Sequence, residues 1–248
     1  VARLLAGDYF LVMPDLRGYG ASSKPAGSAR HAEYSKRTMA QDQVEVMRAL
    51  GFGRFRLCAH DRGARVAHRL CVDHPLHVER AMLLDIAPTL AMYEHTDMAF
   101  ASAYWHWFFL IQPSPFPETL INATPDFYIG KLMGLRHAGL EPFAPEAMAA
   151  YAAAMREPAC VHAMCEDYRA AATIDLEHDR TDRTAGRRIT APLRVLWGEH
   201  GVIQRCFQPL ALWQAVAGDV SGGTVPCGHY VPEEAPAALL AEMRAFFA

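Results

Sequence analysis

Apolar positions along this chain fall into short continuous runs that alternate with stretches of helical period, and turn residues separate the two. Phe10-Leu11-Val12-Met13 is an apolar run that leads into the glycine-rich turn Asp15-Leu16-Arg17-Gly18-Tyr19-Gly20 and predicts a strand. Met39, Val46, Met47 and Leu50 predict an amphipathic helix over 38–50, stopped by Gly51. A strand over 55–59, a helix over 64–72 and a strand over 80–84 follow, the last ending at Asp85. The alternation then fails. From 88 to 187 the chain reads as helical, aromatic-rich segments punctuated by Pro113, Pro115, Pro117, Pro142, Pro145 and Pro158. Strand character resumes over 193–197 and 223–226, and a helix over 235–247 closes the chain. The pattern predicts an α/β fold with a mostly parallel sheet. Its core is in two parts, 1–87 and 188–248, interrupted by a helical cap over 88–187.

Composition narrows this picture. With 248 residues, 52% of them hydrophobic, the chain can bury one large core. Lys and Arg total 24 against 27 Asp and Glu, a net charge of -3, which gives no reason to expect nucleic acid or an anionic membrane as partner. No apolar run approaches the roughly 20 residues that span a bilayer. The six cysteines form no C-x-x-C pair, so reduced, mostly packed thiols in a cytoplasmic protein are expected. The twelve histidines show no H-E-x-x-H spacing, so no metal is expected, and nothing else implies a cofactor.

The sharpest local signal is Ala59-His60-Asp61-Arg62-Gly63, between a predicted strand and a predicted helix. It fits the nucleophile elbow, x-x-Nu-x-G, in which a strained turn lifts one side chain above the sheet. Asp61 could equally cap the following helix, and the pentapeptide alone does not decide. Chain order does: an elbow enzyme needs an acid and then a histidine downstream. His229, in Cys227-Gly228-His229-Tyr230, follows the last strand. The acid is often found after the strand that ends here at Trp197-Gly198, but Gly201 stands at that position. The other known location, the end of the preceding core strand, holds Asp85; Glu199 remains an alternative.

These residues resemble the haloacetate dehalogenases, the fluoroacetate dehalogenase group of α/β-hydrolases, and the similarity runs along nearly the whole chain. It rests on His60-Asp61-Arg62-Gly63-Ala64-Arg65, Leu84-Asp85-Ile86-Ala87-Pro88-Thr89, Ala103-Tyr104-Trp105-His106-Trp107 and Asp167-Tyr168-Arg169. The resemblance implies that Asp61 is the nucleophile, His229 the base and Asp85 its acid. It implies that Arg62 and Arg65 hold the substrate carboxylate and that His106, Trp107 and Tyr168 receive the halide. It also implies a homodimer.

The chemistry suits such a set. A carboxylate that displaces halide leaves an ester, which water can hydrolyse at its carbonyl, whereas a serine would leave an inert ether. An anionic substrate facing an anionic nucleophile needs counter-charge, and guanidinium groups bind carboxylate bidentately. By composition alone, Tyr104-Trp105-His106-Trp107-Phe108-Phe109 is more often the buried face of a cap helix than a halide cradle.

Three rival readings remain. An epoxide hydrolase shares the Asp nucleophile, but it and a haloalkane dehalogenase normally carry Trp where this chain has Arg62. The third is a non-catalytic hydrolase-fold protein, against which Asp61, Asp85 and His229 argue. Finally, the chain starts at Val1 with its first strand already leading into the Asp15–Gly20 turn, which in related hydrolases follows the fourth strand. The expectation is an N-terminally truncated chain that lacks a His-Gly loop. That loop would supply one of two oxyanion donors, the other being the Arg62 backbone N–H. The strand over 10–13 would then either cross to pair with the strand over 55–59 or sit beside a gap of unpaired backbone.

Overall fold

The computed structural model describes residues 1–248. Four strands, β1 (Phe55–His60), β2 (Val78–Leu84), β3 (Leu193–Gly198) and β4 (Val220–Val225), form a parallel sheet in the order β1-β2-β3-β4. Ala59 pairs with Leu83, Leu83 with Val195 and Val195 with Gly222, which brings the C-terminal ends of the strands side by side. Functional residues gather at that edge of a parallel sheet. β2 has partners on both sides and helices on both faces, so Ala81, Met82, Leu83 and Leu84 are all buried. Gly222 is required in β4, because a Cβ there would collide with the Val195 carbonyl.

Helices Lys36–Ala49 and Asp61–Asp73 pack on one face of the sheet, the first capped by the Ser35 hydroxyl accepting from the Thr38 N–H. The helix Pro236–Phe247 covers the other face, where Leu239 and Phe247 meet Met82, Leu84 and Leu196. Between β2 and β3 the chain forms eight helices, the first starting at Thr89 and the last ending at Ala185, with no strand among them. No helix is long and apolar enough to cross a membrane.

Phe10–Met13 is not a strand: residues 10–16 have no regular structure, and Phe10 and Met13 are 72% and 73% exposed. Phe10 rests on Phe52 with ring centroids 5.0 Å apart, and the run does not pair with β1, whose outer edge is bare with Cys58 exposed. An apolar run becomes a strand only when a neighbour takes up its backbone hydrogen bonds, and none stands beside it. Two boundaries also move. The helix expected over 64–72 starts at Asp61, since its polar first turn carries no apolar period. β4 starts at Val220, since Ser221-Gly222-Gly223 carries no apolar signal.

Candidate active site

β1 ends at His60, and the next residue, Asp61, takes φ +44° as it opens the helix. A positive φ on a residue other than glycine costs about 1–3 kcal/mol and marks a turn that its surroundings enforce. The helix cannot rise from β1 in line with the strand, so the turn projects the Asp61 carboxylate upward, where it keeps 31% exposure. β2 ends in a similar turn: Asp85 has φ +48°, and its N–H donates to the Leu196 carbonyl at 2.7 Å.

Both oxygens of Asp85 are engaged. Oδ1 accepts from the Gly198 N–H at 2.9 Å, and Oδ2 accepts from Nδ1 of His229 at 2.6 Å. Glu199, the alternative acid, is exposed. The close approach depends on Gly198, where a Cβ would collide with the Gly228 carbonyl just before His229. With Nδ1 facing Asp85, Nε2 of His229 is left 3.8 Å from Oδ2 of Asp61, a charge contact too long for a hydrogen bond. Burial alone would lower the His229 pKa, but the carboxylates of Asp61 and Asp85 raise it to about 9. Burial alone would raise the Asp61 pKa, but His229, with His60 and Arg62 behind it, holds it well below the carboxylate range. His60 packs on the His229 ring at 4.7 Å, and its Nε2 lies 2.8 Å from the His229 carbonyl. Burial lowers His60 to about 4, so it is neutral near pH 7 and donates that hydrogen bond through Nε2.

The two arginines are held differently. Arg62 grips Asp167 through Nε and Nη2, each 2.7 Å from a carboxylate oxygen, and lies over the Tyr168 ring at 4.1 Å. Its Nη1 is buried with no partner. Asp167 is fully buried and also receives Lys36 and the Tyr19 hydroxyl, while Lys36 reaches Asp175 at 3.3 Å. Arg65 has only neutral partners: Thr89 Oγ1 at 2.8 Å, the Ala87 carbonyl at 3.3 Å, the Met92 sulfur at 3.4 Å and the Trp107 ring at 4.6 Å. Its Nε is buried and unpartnered. A buried cation without a counter-ion is costly, since nothing offsets its lost hydration.

His106, Trp107 and Tyr168 form one aromatic cluster above these arginines. Ring centroids of His106 and Trp107 lie 6.0 and 6.3 Å from that of Tyr168. Burial, helped by Arg136, pushes His106 down to about 3, so it is neutral and carries a single N–H. Its Nδ1 is buried with no partner. The structure thus gathers all eight residues singled out in the sequence. It adds Lys36, Asp167, Gly198 and His60, to which no role had been given. Asp167 had a signal in principle: an arginine buried beside the elbow demands a carboxylate, and Asp167 adjoins Tyr168 in a motif already noted.

Residues 1–213 match the family model described as alpha/beta hydrolase fold. The chain is an α/β-hydrolase. It is 46% identical over 237 residues to a fluoroacetate dehalogenase from Burkholderia sp, a match covering 95% of this chain and 77% of that protein. It is 31% identical over 250 residues to a soluble epoxide hydrolase from Corynebacterium sp. (strain C12), covering 98% and 82%. A crystal structure from Nostoc sp PCC 7120, described as an alpha/beta hydrolase, superposes with a TM-score of 0.97 at 53% identity, over 100% of this chain and 84% of that one. Within the α/β-hydrolases the chain belongs to the haloacetate dehalogenase family.

Proposed function

We propose that the protein hydrolyses haloacetates, fluoroacetate and chloroacetate among them, to glycolate and halide through an ester on Asp61. The observation that carries this reading is a carboxylate at the elbow one helical turn before Arg65, a buried guanidinium with no counter-ion of its own. The substrate carboxylate supplies that counter-ion, with Nη1 of Arg62 as a further donor. An Asp61 oxygen attacks the α-carbon, and the halide leaves with the bonding pair toward His106, Trp107 and Tyr168. Fluoride needs donors as its charge develops, and an imidazole N–H, an indole N–H and a phenol can supply them.

Water then attacks the ester carbonyl and His229 takes its proton. In the resting enzyme His229 is already protonated, since its pKa is about 9. Alkylation removes the Asp61 charge that helps to raise it. Its pKa falls, the imidazolium releases its proton, and a neutral base stands ready for the second step. The acyl C–O bond then breaks, His229 returns its proton to the departing alkoxide to give glycolate, and Asp61 is restored with one oxygen from water.

A single turnover of chloroacetate in isotopically heavy water tests this. Heavy oxygen is expected in the Asp61 carboxylate and not in the glycolate. Label in first-turnover glycolate would mean that water attacks the α-carbon directly. His229→Ala should release one equivalent of chloride and stall as the ester. The similarity to an epoxide hydrolase, and Tyr104 and Tyr168 on either side of His106, make epoxide opening the rival reading. Diol formation from an epoxide under the same conditions decides between them.

A further inference from the structure

A third arginine reaches this site, and neither the mechanism above nor any motif accounts for it. Arg136 follows the helix Pro125–Gly134, and its guanidinium lies 4.7 Å from the centre of the Tyr104 ring. Its Nε is buried with no hydrogen-bond partner, and no carboxylate lies within ion-pairing distance. Arg62, Arg65 and Arg136 each rest on an aromatic ring, Tyr168, Trp107 and Tyr104, at 4.1, 4.6 and 4.7 Å. Only Arg62 has an acid.

Arg136 lines a cleft of 420 Å³ together with His106 and His229, so the cleft opens onto the catalytic groups. Arg205, His137 and His200 line it as well, and no Asp or Glu does. Asp61, Arg62 and Arg65 do not line it, so a haloacetate held by those residues leaves this space free, and its one carboxylate is already matched by Arg65 and Arg62. Arg136 is half-buried, and its Nε is shut away from water without a partner, which an uncharged side chain packed on Tyr104 would avoid. The cleft therefore has room, and charge, for a second anionic group on the substrate.

We infer that Arg136 forms a second anion site, which admits short 2-halo dicarboxylic acids by holding their distal carboxylate. This rests on the reading of Asp61 as the nucleophile for 2-halo acids. In 2-chlorosuccinate the carboxylate next to the C–Cl bond lies on Arg65 and Arg62. The chlorine faces His106, Trp107 and Tyr168, and the remaining arm extends along the cleft to Arg136. Asp61 forms the O–C bond as chloride departs with the electron pair. Water then adds to the ester carbonyl, the acyl C–O bond breaks, and malate is released with its proton balance carried by His229.

The test compares chloroacetate with 2-chlorosuccinate in the wild type, Arg136→Gln and Arg136→Lys. The wild type should release chloride from both. Arg136→Gln should lower the ratio of kcat/KM for 2-chlorosuccinate over chloroacetate at least tenfold, mainly through KM, and Arg136→Lys should restore most of it. A second measurement needs no turnover: succinate should bind more tightly than acetate in calorimetry, and Arg136→Gln should erase the difference. An unchanged ratio in Arg136→Gln, or succinate binding no tighter than acetate, overturns the proposal. If the wild type releases no chloride from chloroacetate, the dehalogenase reading fails, and the succinate comparison still decides the role of Arg136.

Discussion

Asp61 and Asp85 both hold left-handed backbone at the ends of neighbouring strands, and both point at His229. Asp is among the residues that tolerate this conformation best, so the two turns impose modest strain while placing two carboxylates around one imidazole. That arrangement is why His229 rises to about 9 despite burial. A histidine raised in the folded state contributes stability that is fully present below its unfolded pKa, about 6.5, and is lost as pH rises through about 9. An NMR titration of the His229 ring should therefore show a midpoint near 9. In Asp85→Asn the midpoint should fall by about a unit or more, since one of its two raising partners is gone. A wild-type midpoint at or below that of a free histidine would remove the ion pair from the mechanism. Asp61→Asn should keep the fold, because Asn also tolerates a positive φ, and release no halide at all.

The helix Asp61–Asp73 carries three of the eight site residues, Asp61, Arg62 and Arg65. Asp61, Arg65 and Arg69 recur every fourth residue, and all three point toward the eight helices between β2 and β3 or the groove beneath them. Arg65 takes Thr89, Met92 and Trp107 from those helices, and Arg69 takes Asp179 at 2.6 Å and Asp182 at 2.5 Å. Arg65→Gln should slow chloroacetate hydrolysis about tenfold or more, the value of one charge-assisted hydrogen bond at about 1.5–3 kcal/mol. Normal turnover in that variant would end the carboxylate assignment. His106→Phe should slow fluoroacetate more than bromoacetate, because bromide leaves with less help; equal losses would make His106 a packing residue only. Much of this element was legible beforehand: the elbow pentapeptide, the arginines at its start and the order of Asp61, Asp85 and His229 all stand in the sequence. What it contacts was not. Arg62 meets Asp167 across 105 positions and Lys36 meets it across 131, and periodicity says which face is buried, never what lies opposite. The apolar run at Phe10–Met13 misled for the same reason, since a strand depends on a neighbour that its own residues do not encode.

Across the whole molecule, the seam between the sheet layer and the helices inserted after β2 is ionic as well as apolar. Lys36 and Arg62 from the first layer meet Asp167 and Asp175 from the second, and Arg69 meets Asp179 and Asp182 a few turns away. The candidate site lies at this seam, so the charges that close it also fix Arg62 beside Asp61. Burial alone would raise the Asp167 pKa, but Arg62 and Lys36 hold it far below the carboxylate range. Such a depressed acid contributes stability that is present above its unfolded pKa, about 3.9, and is lost as pH falls through its folded value. Asp175 runs the other way: burial raises it, only partly offset by Lys36, so it does not share the acid loss. Asp167→Asn leaves two buried cations facing a neutral amide. At pH 7 it should lower the free energy of unfolding by about 3–5 kcal/mol, the usual cost of removing one partner from a buried pair. The deficit should shrink below about pH 4, where the unfolded wild-type chain takes up a proton at Asp167 that the folded protein does not. It should change little between low and about 0.5 M salt, because buried pairs are weakly screened. Denaturant unfolding of both proteins across this pH range measures all three effects. A deficit that stays constant with pH would mean that Asp167 acts through packing alone, and the ionic seam would lose its claim to hold the two layers together.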